Sequence, residues 1–147
     1  MTGRRILLIE DNPSDIELTR RALEKGRVAN ELVIVQDGQE ALDYLFAKGP
    51  HAGRDMSDLP GVALLDLKLP KVSGLEVLQA VRSHPCTRRL PVVILTSSNE
   101  EQDIGASYDL HANSYIRKPV DFKQFADAIQ QIGLYWLILN EPPPDVP

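Results

Sequence analysis

The chain has 147 residues, of which 43% are hydrophobic and 25% are charged, a composition typical of one globular domain with one hydrophobic core. A net charge of -5 and scattered Lys and Arg residues argue against a general nucleic-acid-binding protein, because phosphate backbones attract clustered positive charge. The single cysteine, Cys86, excludes an internal disulfide and favours a reducing compartment.

The first residues of the chain carry no recognisable targeting signal. Four apolar residues separate Arg5 from Glu10, which is too few for a signal peptide or a membrane span. We therefore expect a cytoplasmic protein without a membrane segment.

Five short strand-like runs recur along the chain, and a helical pattern follows each of them. The runs are Ile6 to Ile9, Leu32 to Val35, Val62 to Leu65, Val92 to Leu95 and Ser114 to Ile116. After the first run, Asn12 suits a helix N-cap and Pro13 suits the first helical position. Five strands alternating with five helices predict a parallel sheet covered on both faces, which is a three-layer α/β domain.

Two segments stand apart from this alternation. The connection from Gly49 to Gly61 is longer than the roughly 2 to 6 residues of an ordinary αβ loop, and it is either functional or merely tolerated. Residues 141–147 are rich in proline and are expected to form an extended tail. We assign residues 1–140 to the domain itself.

Polar side chains follow the predicted strands at the point where each strand ends. They are Glu10 and Asp11, then Asp66, then Thr96, then Lys118. In an open α/β sheet, functional groups collect at the carboxyl ends of the strands, so these side chains are expected to converge. Singly, each has a structural explanation, since an aspartate supports a helix start or a turn and a threonine caps a helix.

Convergence favours chemistry over those structural roles. Carboxylates brought together without a counter-ion repel one another, and one hard divalent cation such as Mg²⁺ resolves the conflict. Mg²⁺ binds a few carboxylate oxygens together with water and phosphate oxygens, so the set predicts a phosphoryl-transfer site. Asp66 is the candidate nucleophile, Lys118 neutralises phosphoryl oxygens, and Thr96 donates a hydrogen bond to one of them.

These residues resemble the response-regulator receiver domains of two-component signalling. The resemblance rests on Glu10-Asp11, on Asp66 with Pro70 and Gly74 behind it, on Thr96-Ser97 and on Tyr115 to Pro119, and it spans roughly Arg4 to Ile132. It implies a flavodoxin-like fold with strand order 2-1-3-4-5.

The resemblance also implies a role for each residue. Asp66 is the phosphoacceptor, Glu10 and Asp11 hold Mg²⁺ directly or through water, and the backbone carbonyl of Lys68 completes the protein ligands. Lys118 contacts the phosphoryl group. Thr96 and Tyr115 form a switch pair, and the bond before Pro119 is cis.

The sequence departs from the family pattern at two of these positions. Glu10 stands where many members have Asp, which adds a methylene and favours a water-mediated metal contact. Lys68 places a cation beside the acceptor, at a position that influences how long the phosphoryl group persists.

The resemblance implies a sensor histidine kinase as phosphodonor. We expect no attached DNA-binding domain and no contact with nucleic acid, so the output goes through another protein or through self-association. The long last helix, the Gly49 to Gly61 connection and the tail resemble the stand-alone regulators of bacterial phytochrome histidine kinases. A kinase that senses something other than light stays an alternative.

The end of the last helix is the candidate contact surface. Leu134, Tyr135 and Ile138 fall off the stripe that packs on the sheet, so Leu134 to Leu139 is more apolar than one buried face can hide. We expect a homodimer through the face of the fourth helix, fifth strand and fifth helix. Cover by the Gly49 to Gly61 connection is the alternative.

Two other classes of protein fit the pattern less well. A haloacid-dehalogenase-type phosphatase also forms an aspartyl phosphate, but it needs a second Asp two residues after the nucleophile, where Lys68 stands. A flavodoxin-like cofactor carrier needs a Ser/Thr/Gly-rich phosphate loop, whereas Glu10 and Asp11 would repel phosphate without a metal ion. We therefore expect a protein that accepts a phosphoryl group and slowly loses it, without a turnover substrate.

Overall fold

The computed structural model describes residues 5–25, 30–97, 101–118 and 122–134, in which strands and helices alternate. The strands are β1 Ile6–Ile9, β2 Leu32–Val35, β3 Val62–Leu65, β4 Val92–Thr96 and β5 Ser114–Arg117. The helices are α1 Pro13–Lys25, α2 Gly38–Leu45, α3 Gly74–Ser83, α4 Glu101–Asp109 and α5 Phe122–Leu134, with a short 3-10 helix at Gly49–His51. The predicted alternation is confirmed, and β4 and β5 each extend one residue further than predicted.

The five strands form one parallel sheet in the order β2-β1-β3-β4-β5, which confirms the flavodoxin-like topology. Alternate residues of each strand face opposite sides, so the sheet divides the hydrophobic core into two parts. Leu7, Ile9 and Leu65 pack on one side with side chains of α2 and α3. Leu8 and Leu64 pack on the other side with side chains of α1 and α5. The domain therefore has the predicted three layers.

The connection between β3 and α3 approaches the end of β3 so closely that it requires glycine. The Gly74 N–H donates to the carbonyl of Leu67 at 2.9 Å. A Cβ at position 74 would lie 2.3 Å from the carbonyl oxygen of Asp66, well inside van der Waals contact. This contact fixes the backbone that carries Asp66 against the first turn of α3.

The Arg82 guanidinium of α3 donates to four backbone carbonyls. Within the described residues, it forms no ion pair with a carboxylate. It donates to Leu90 at 2.7 Å, to His111 at 2.8 Å, and to Arg88 and Leu110 at 3.0 Å. Burial lowers the pKa of this guanidinium, but Arg stays charged in proteins. The side chain therefore fastens α3 to the segments that follow α3 and α4.

The long connection of residues 49–61 is anchored on α2 and on the start of β1. The Arg54 guanidinium donates to the carbonyl of Tyr44 and lies 4.0 Å from the centroid of its ring. The Arg5 guanidinium forms a 2.9 Å ion pair with Asp58. These contacts place the connection at the amino-terminal side of the sheet.

Several predictions concern residues outside the described ranges. They are the cis bond before Pro119, the tail of residues 141–147 and the contact role of Tyr135 and Ile138. Leu134 is described only as the last residue of α5. Among the described helices, none has the length and apolar character needed to span a bilayer.

The Gly74 contact gives a stability prediction. Gly74→Ala should lower the free energy of unfolding by about 1 to 3 kcal/mol, because the new methyl group overlaps the carbonyl of Asp66. Gly105→Ala in α4 is the matched control, since a Cβ there meets nothing within 4 Å. Its expected effect is neutral or stabilising by up to about 1 kcal/mol. Urea denaturation measures both, and equal effects of the two substitutions would contradict the close approach.

Candidate functional site

The strand register brings Glu10 and Asp66 to one edge of the sheet. Ile9 pairs with Leu65 on β3, so the residues that follow both strands are neighbours. The Asp66 N–H donates to the carbonyl of Ile9 at 3.0 Å, and the Glu10 N–H donates to Val35 at 3.0 Å. Both backbones are therefore fixed by hydrogen bonds that continue the sheet past its last residues.

Three carboxylates converge at this edge. One oxygen from each of Glu10, Asp11 and Asp66 lies within 4.8 Å of the other two. Glu10 and Asp66 are buried and Asp11 is exposed, so the cluster opens to solvent on the Asp11 side. Convergent hard oxygen donors of this kind suit a divalent cation such as Mg²⁺ or Mn²⁺.

The start of α1 sets the position of Asp11. Asn12 caps the helix, because its side-chain oxygen accepts from the N–H groups of Ser14 at 2.9 Å and Asp15 at 3.2 Å. The Asn12 N–H in turn donates to the carboxylate of Glu10 at 3.3 Å. The predicted cap thus also ties the helix to the carboxylate cluster.

Lys118 lies among the carboxylates, directly after β5. The backbone N–H of Lys118 donates to the backbone carbonyl of Thr96 at 2.7 Å. Its ammonium lies 2.5 Å from a carboxylate oxygen of Glu10, 2.7 Å from one of Asp15 and 3.6 Å from one of Asp66. Lys118 thus lies beside Asp66, and its hydrogen bonds go to Glu10 and Asp15. Its contact with a phosphoryl group stays a prediction.

Burial and charge move the pKa values of this pair upwards. Burial raises the pKa of the Glu10 carboxyl to about 7, against the opposing effect of Lys118. Burial lowers the pKa of Lys118, but the carboxylates of Asp15, Glu10 and Asp66 outweigh it and the net shift is upwards. A cation that replaces the proton on Glu10 would therefore bind better as the pH rises through about 7.

Asp66 and Lys68 share a tight turn after β3. The Lys68 N–H donates to the carboxylate of Asp66 at 3.2 Å, which orients the acceptor candidate. The Lys68 side chain is exposed, and its backbone lies beside the carboxylate cluster. Its carbonyl as a metal ligand stays a prediction.

Thr96 and Tyr115 lie on neighbouring strands and on the same face of the sheet. Thr96 is fully buried at the end of β4. Tyr115 pairs with Ile94, two residues before Thr96, and packs partly buried against the core on the α2 and α3 side. The hydroxyl and the aromatic ring are thus close in the sheet, and their action as a switch stays a prediction.

Asp15 is the site residue that the sequence interpretation missed. It lies in the first turn of α1, where any acidic residue is favoured by the helix dipole. That local explanation concealed its contact with Lys118, 103 residues further along the chain. The residues around Asp15 in the sequence give no signal of this contact.

The sequence matches known signalling proteins over most of its length. The response regulator receiver domain family covers residues 6–130. The response regulator Rcp1 of Synechocystis sp. is 39% identical over 90% of this chain and 88% of its own. The probable methanogenesis regulatory protein FilR2 of Methanothrix harundinacea is 41% identical over 94% of this chain and 86% of its own.

Solved structures of similar regulators share the fold. Phosphorylated RcpA, a cyanobacterial phytochrome response regulator, is 41% identical over 97% of this chain and 100% of its own, with a TM-score of 0.88. The bacteriophytochrome response regulator AtBRR is 56% identical over 96% of this chain and 100% of its own, with a TM-score of 0.76. The Mn²⁺-bound form of Rcp1 is 37% identical over 96% of this chain and 99% of its own, with a TM-score of 0.86.

A family match over most of the chain agrees with the strand order, the carboxylate cluster and the lysine after β5. Receiver domains of this family are signalling regulators that take a phosphoryl group from sensor histidine kinases. The chain belongs to the response regulator receiver domain family.

Proposed function

We propose that this protein is a single-domain response regulator that a sensor histidine kinase phosphorylates on Asp66. The observation that carries the proposal is the buried Asp66 carboxylate, which lies between an ammonium and two further carboxylates at the end of β3. Such a carboxylate is a nucleophile, and the ammonium of Lys118 can neutralise part of the charge of the phosphorylated product.

The transfer forms one bond and breaks one. A carboxylate oxygen of Asp66 attacks phosphorus, and the P–N bond of the donor phosphohistidine breaks, with its electron pair returning to the imidazole ring. The result is an aspartyl phosphate and a histidine that takes up a proton from water. Lys118 neutralises phosphoryl oxygens, and the Thr96 hydroxyl donates to one of them.

We propose Mg²⁺ as the metal, held by Glu10, Asp11, Asp66 and the backbone carbonyl of Lys68. When bound, it neutralises phosphoryl oxygens and balances the carboxylate charge. The three carboxylates fit such an ion because their oxygens already converge and two of them are buried.

The proposed output begins at Thr96 and Tyr115. The Thr96 hydroxyl moves towards the phosphoryl group, and the Tyr115 ring turns inward behind it. The burial of Thr96 and the shared sheet face of the two side chains support this pairing.

A bacterial phytochrome histidine kinase is the proposed phosphodonor. The support is the likeness to RcpA and AtBRR, whose names tie them to phytochromes. FilR2 matches this chain at 41% identity, the same as RcpA and below the 56% of AtBRR, so a kinase with another input is the second candidate. We propose that the protein acts in the cytoplasm, where ATP is available to such a kinase.

The proposed protein has no turnover substrate, because the phosphoryl group leaves Asp66 slowly by hydrolysis. The residue two positions after Asp66 is an exposed lysine and not the second aspartate that a haloacid-dehalogenase-type phosphatase needs. Residues 1–140 form the receiver domain and residues 141–147 a tail. Output goes through protein contacts.

We propose that those contacts include a homodimer through the face of α4, β5 and α5, with Leu134, Tyr135 and Ile138 in the seam. Tyr108 on α4 supports this face, because 50% of the residue is exposed and it is a large hydrophobic side chain. Covering an exposed hydrophobic side chain with a partner removes apolar surface from water and stabilises the complex.

Phosphorylation is tested with acetyl phosphate and Mg²⁺. Intact-mass spectrometry should show the addition of one phosphoryl group, and the Asp66→Asn variant should show none because it lacks the nucleophilic oxygen. Circular dichroism establishes that the variant is folded. A label that persists in Asp66→Asn would contradict the assignment.

The phosphodonor is tested by transfer from purified kinases. A bacteriophytochrome kinase, compared in its two light-dependent forms, should transfer phosphate to this protein faster than a kinase of unrelated input. Equal rates from both kinases would contradict the phytochrome pairing but leave phosphorylation on Asp66 intact.

The raised pKa of Glu10 predicts how Mg²⁺ binding depends on pH. The apparent affinity should rise about tenfold from pH 6 to pH 8, because binding displaces a proton whose pKa is about 7. Calorimetric titration measures it. Glu10→Gln has no proton to displace and should bind weakly with a flat profile. The same tenfold rise in Glu10→Gln would assign the proton to another group.

The homodimer is tested by light scattering over a range of protein concentrations. The double variant Leu134→Glu/Ile138→Glu should lower the measured mass towards that of a monomer, because it buries charge in the seam. Lys48→Glu is the control, since it makes the same net change in charge at an exposed position next to α2. A monomer at every concentration, or equal loss in the control, would contradict the seam.

A further inference from the structure

The ammonium of Lys118 is shared unequally among its carboxylate neighbours. It donates to Glu10 at 2.5 Å and to Asp15 at 2.7 Å, both within hydrogen-bond distance. Its separation from Asp66 is 3.6 Å, beyond that distance. The ammonium that is proposed to contact the phosphoryl group is therefore hydrogen-bonded to two other carboxylates in this structure.

The carboxylate of Asp15 is fixed where it can hold Lys118. The Asp15 N–H donates to the capping oxygen of Asn12 at 3.2 Å. The Asp15 carbonyl accepts from the hydroxyl of the buried Thr19 at 2.8 Å. The backbone is thus bound on both sides, and 26% of the Asp15 side chain remains exposed at the margin of the site.

A role for Asp15 in the helix alone does not explain this contact. The helix dipole accounts for an acidic residue in the first turn of α1, but it does not require a partner from the end of β5. The second acidic residue near this end of α1, Glu17, pairs instead with Arg20 and Arg21 of its own helix. Asp15 is therefore the acidic residue of this turn that reaches into the site.

We propose that Asp15 is a positioning residue that holds the Lys118 ammonium away from Asp66 until a phosphoryl group is present. This inference rests on the proposed function, because it takes Asp66 as the phosphoacceptor. Glu10 and Asp15 take two of the three ammonium protons, so Lys118 can give the phosphoryl oxygens a second hydrogen bond only when Asp15 releases it. Asp15 thus competes with the phosphoryl group for the Lys118 ammonium and destabilises the phosphorylated state. When that state forms, the Asp15 carboxylate loses its ion pair with Lys118.

The inference predicts that loss of the Asp15 charge strengthens binding of a phosphoryl mimic. In Asp15→Asn and Asp15→Ala, Lys118 stays tethered by Glu10, and its other protons are available to the group on Asp66. Beryllofluoride with Mg²⁺ is the probe, and ¹⁹F NMR titration measures its affinity. The affinity should rise about three- to fivefold, the size expected for breaking a partly exposed ion pair.

Two controls separate positioning by Asp15 from a general charge effect. Glu17→Gln removes the same charge from the same helix and should leave the affinity unchanged. In a Lys118→Gln background, which itself weakens binding, adding Asp15→Asn should have no further effect, because Asp15 acts through Lys118. Unchanged or weaker binding in both Asp15 variants, or the same gain without Lys118, would overturn the inference.

The experiment also separates this inference from the function on which it rests. If the unaltered protein binds no beryllofluoride and accepts no phosphoryl group, then the proposed function fails. If the unaltered protein binds the probe and the Asp15 variants bind it equally well, then only the role of Asp15 fails.

Discussion

The repulsion among carboxylates at the carboxyl edge of the sheet is the constraint on which the site depends. Glu10, Asp11 and Asp66 converge there, and the ammonium of Lys118 forms ion pairs with Glu10 and Asp66. One ammonium cannot balance the charge of three carboxylates, and this ammonium also forms an ion pair with Asp15. Burial is the main reason that the pKa of Glu10 is raised, and the neighbouring Asp66 carboxylate adds to that rise.

The fold holds these charges together against their repulsion. Backbone hydrogen bonds continue the sheet past Ile9 and Leu65, and the strands behind the site are buried on both faces. The close contact of Gly74 with Asp66 prevents the acceptor from moving back towards α3. The favourable free energy of core packing thus outweighs the repulsion between carboxylates that lie a few ångströms apart at the sheet edge. Such an arrangement is common at functional sites.

The fold was largely predictable because each strand is a short run that polar residues end abruptly. The alternation of strands and helices predicted a parallel sheet. In such a sheet, the residues that follow the strands lie at one edge, so Asp66 and Lys118 were expected there together. The strand order came from the resemblance, and the ends of β4 and β5 differed by one residue because Thr96 and Arg117 pair in the ladder although neither is apolar.

Details of the site that depend on distance were not predictable. Asp15 has a sufficient local explanation in the helix dipole, so nothing in its surroundings along the chain pointed to Lys118. The pKa of Glu10 depends on its burial, which a residue-by-residue interpretation cannot supply. The sequence analysis assigned no role to Arg82, because a basic residue in the last turn of a helix is common and the carbonyls that it binds lie in later segments.

The clamp made by Arg82 has a consequence for how the sequence can vary. Its partners are the carbonyl oxygens of residues 88, 90, 110 and 111, and every amino acid carries that oxygen. The clamp therefore sets no requirement of its own on the side chains at those four positions. Position 82 has no such freedom, because only a guanidinium presents five donors in a fixed plane. One residue type thus fixes the joint between α3 and the end of α4, while other contacts, such as the burial of Leu90, decide which side chains its partners carry.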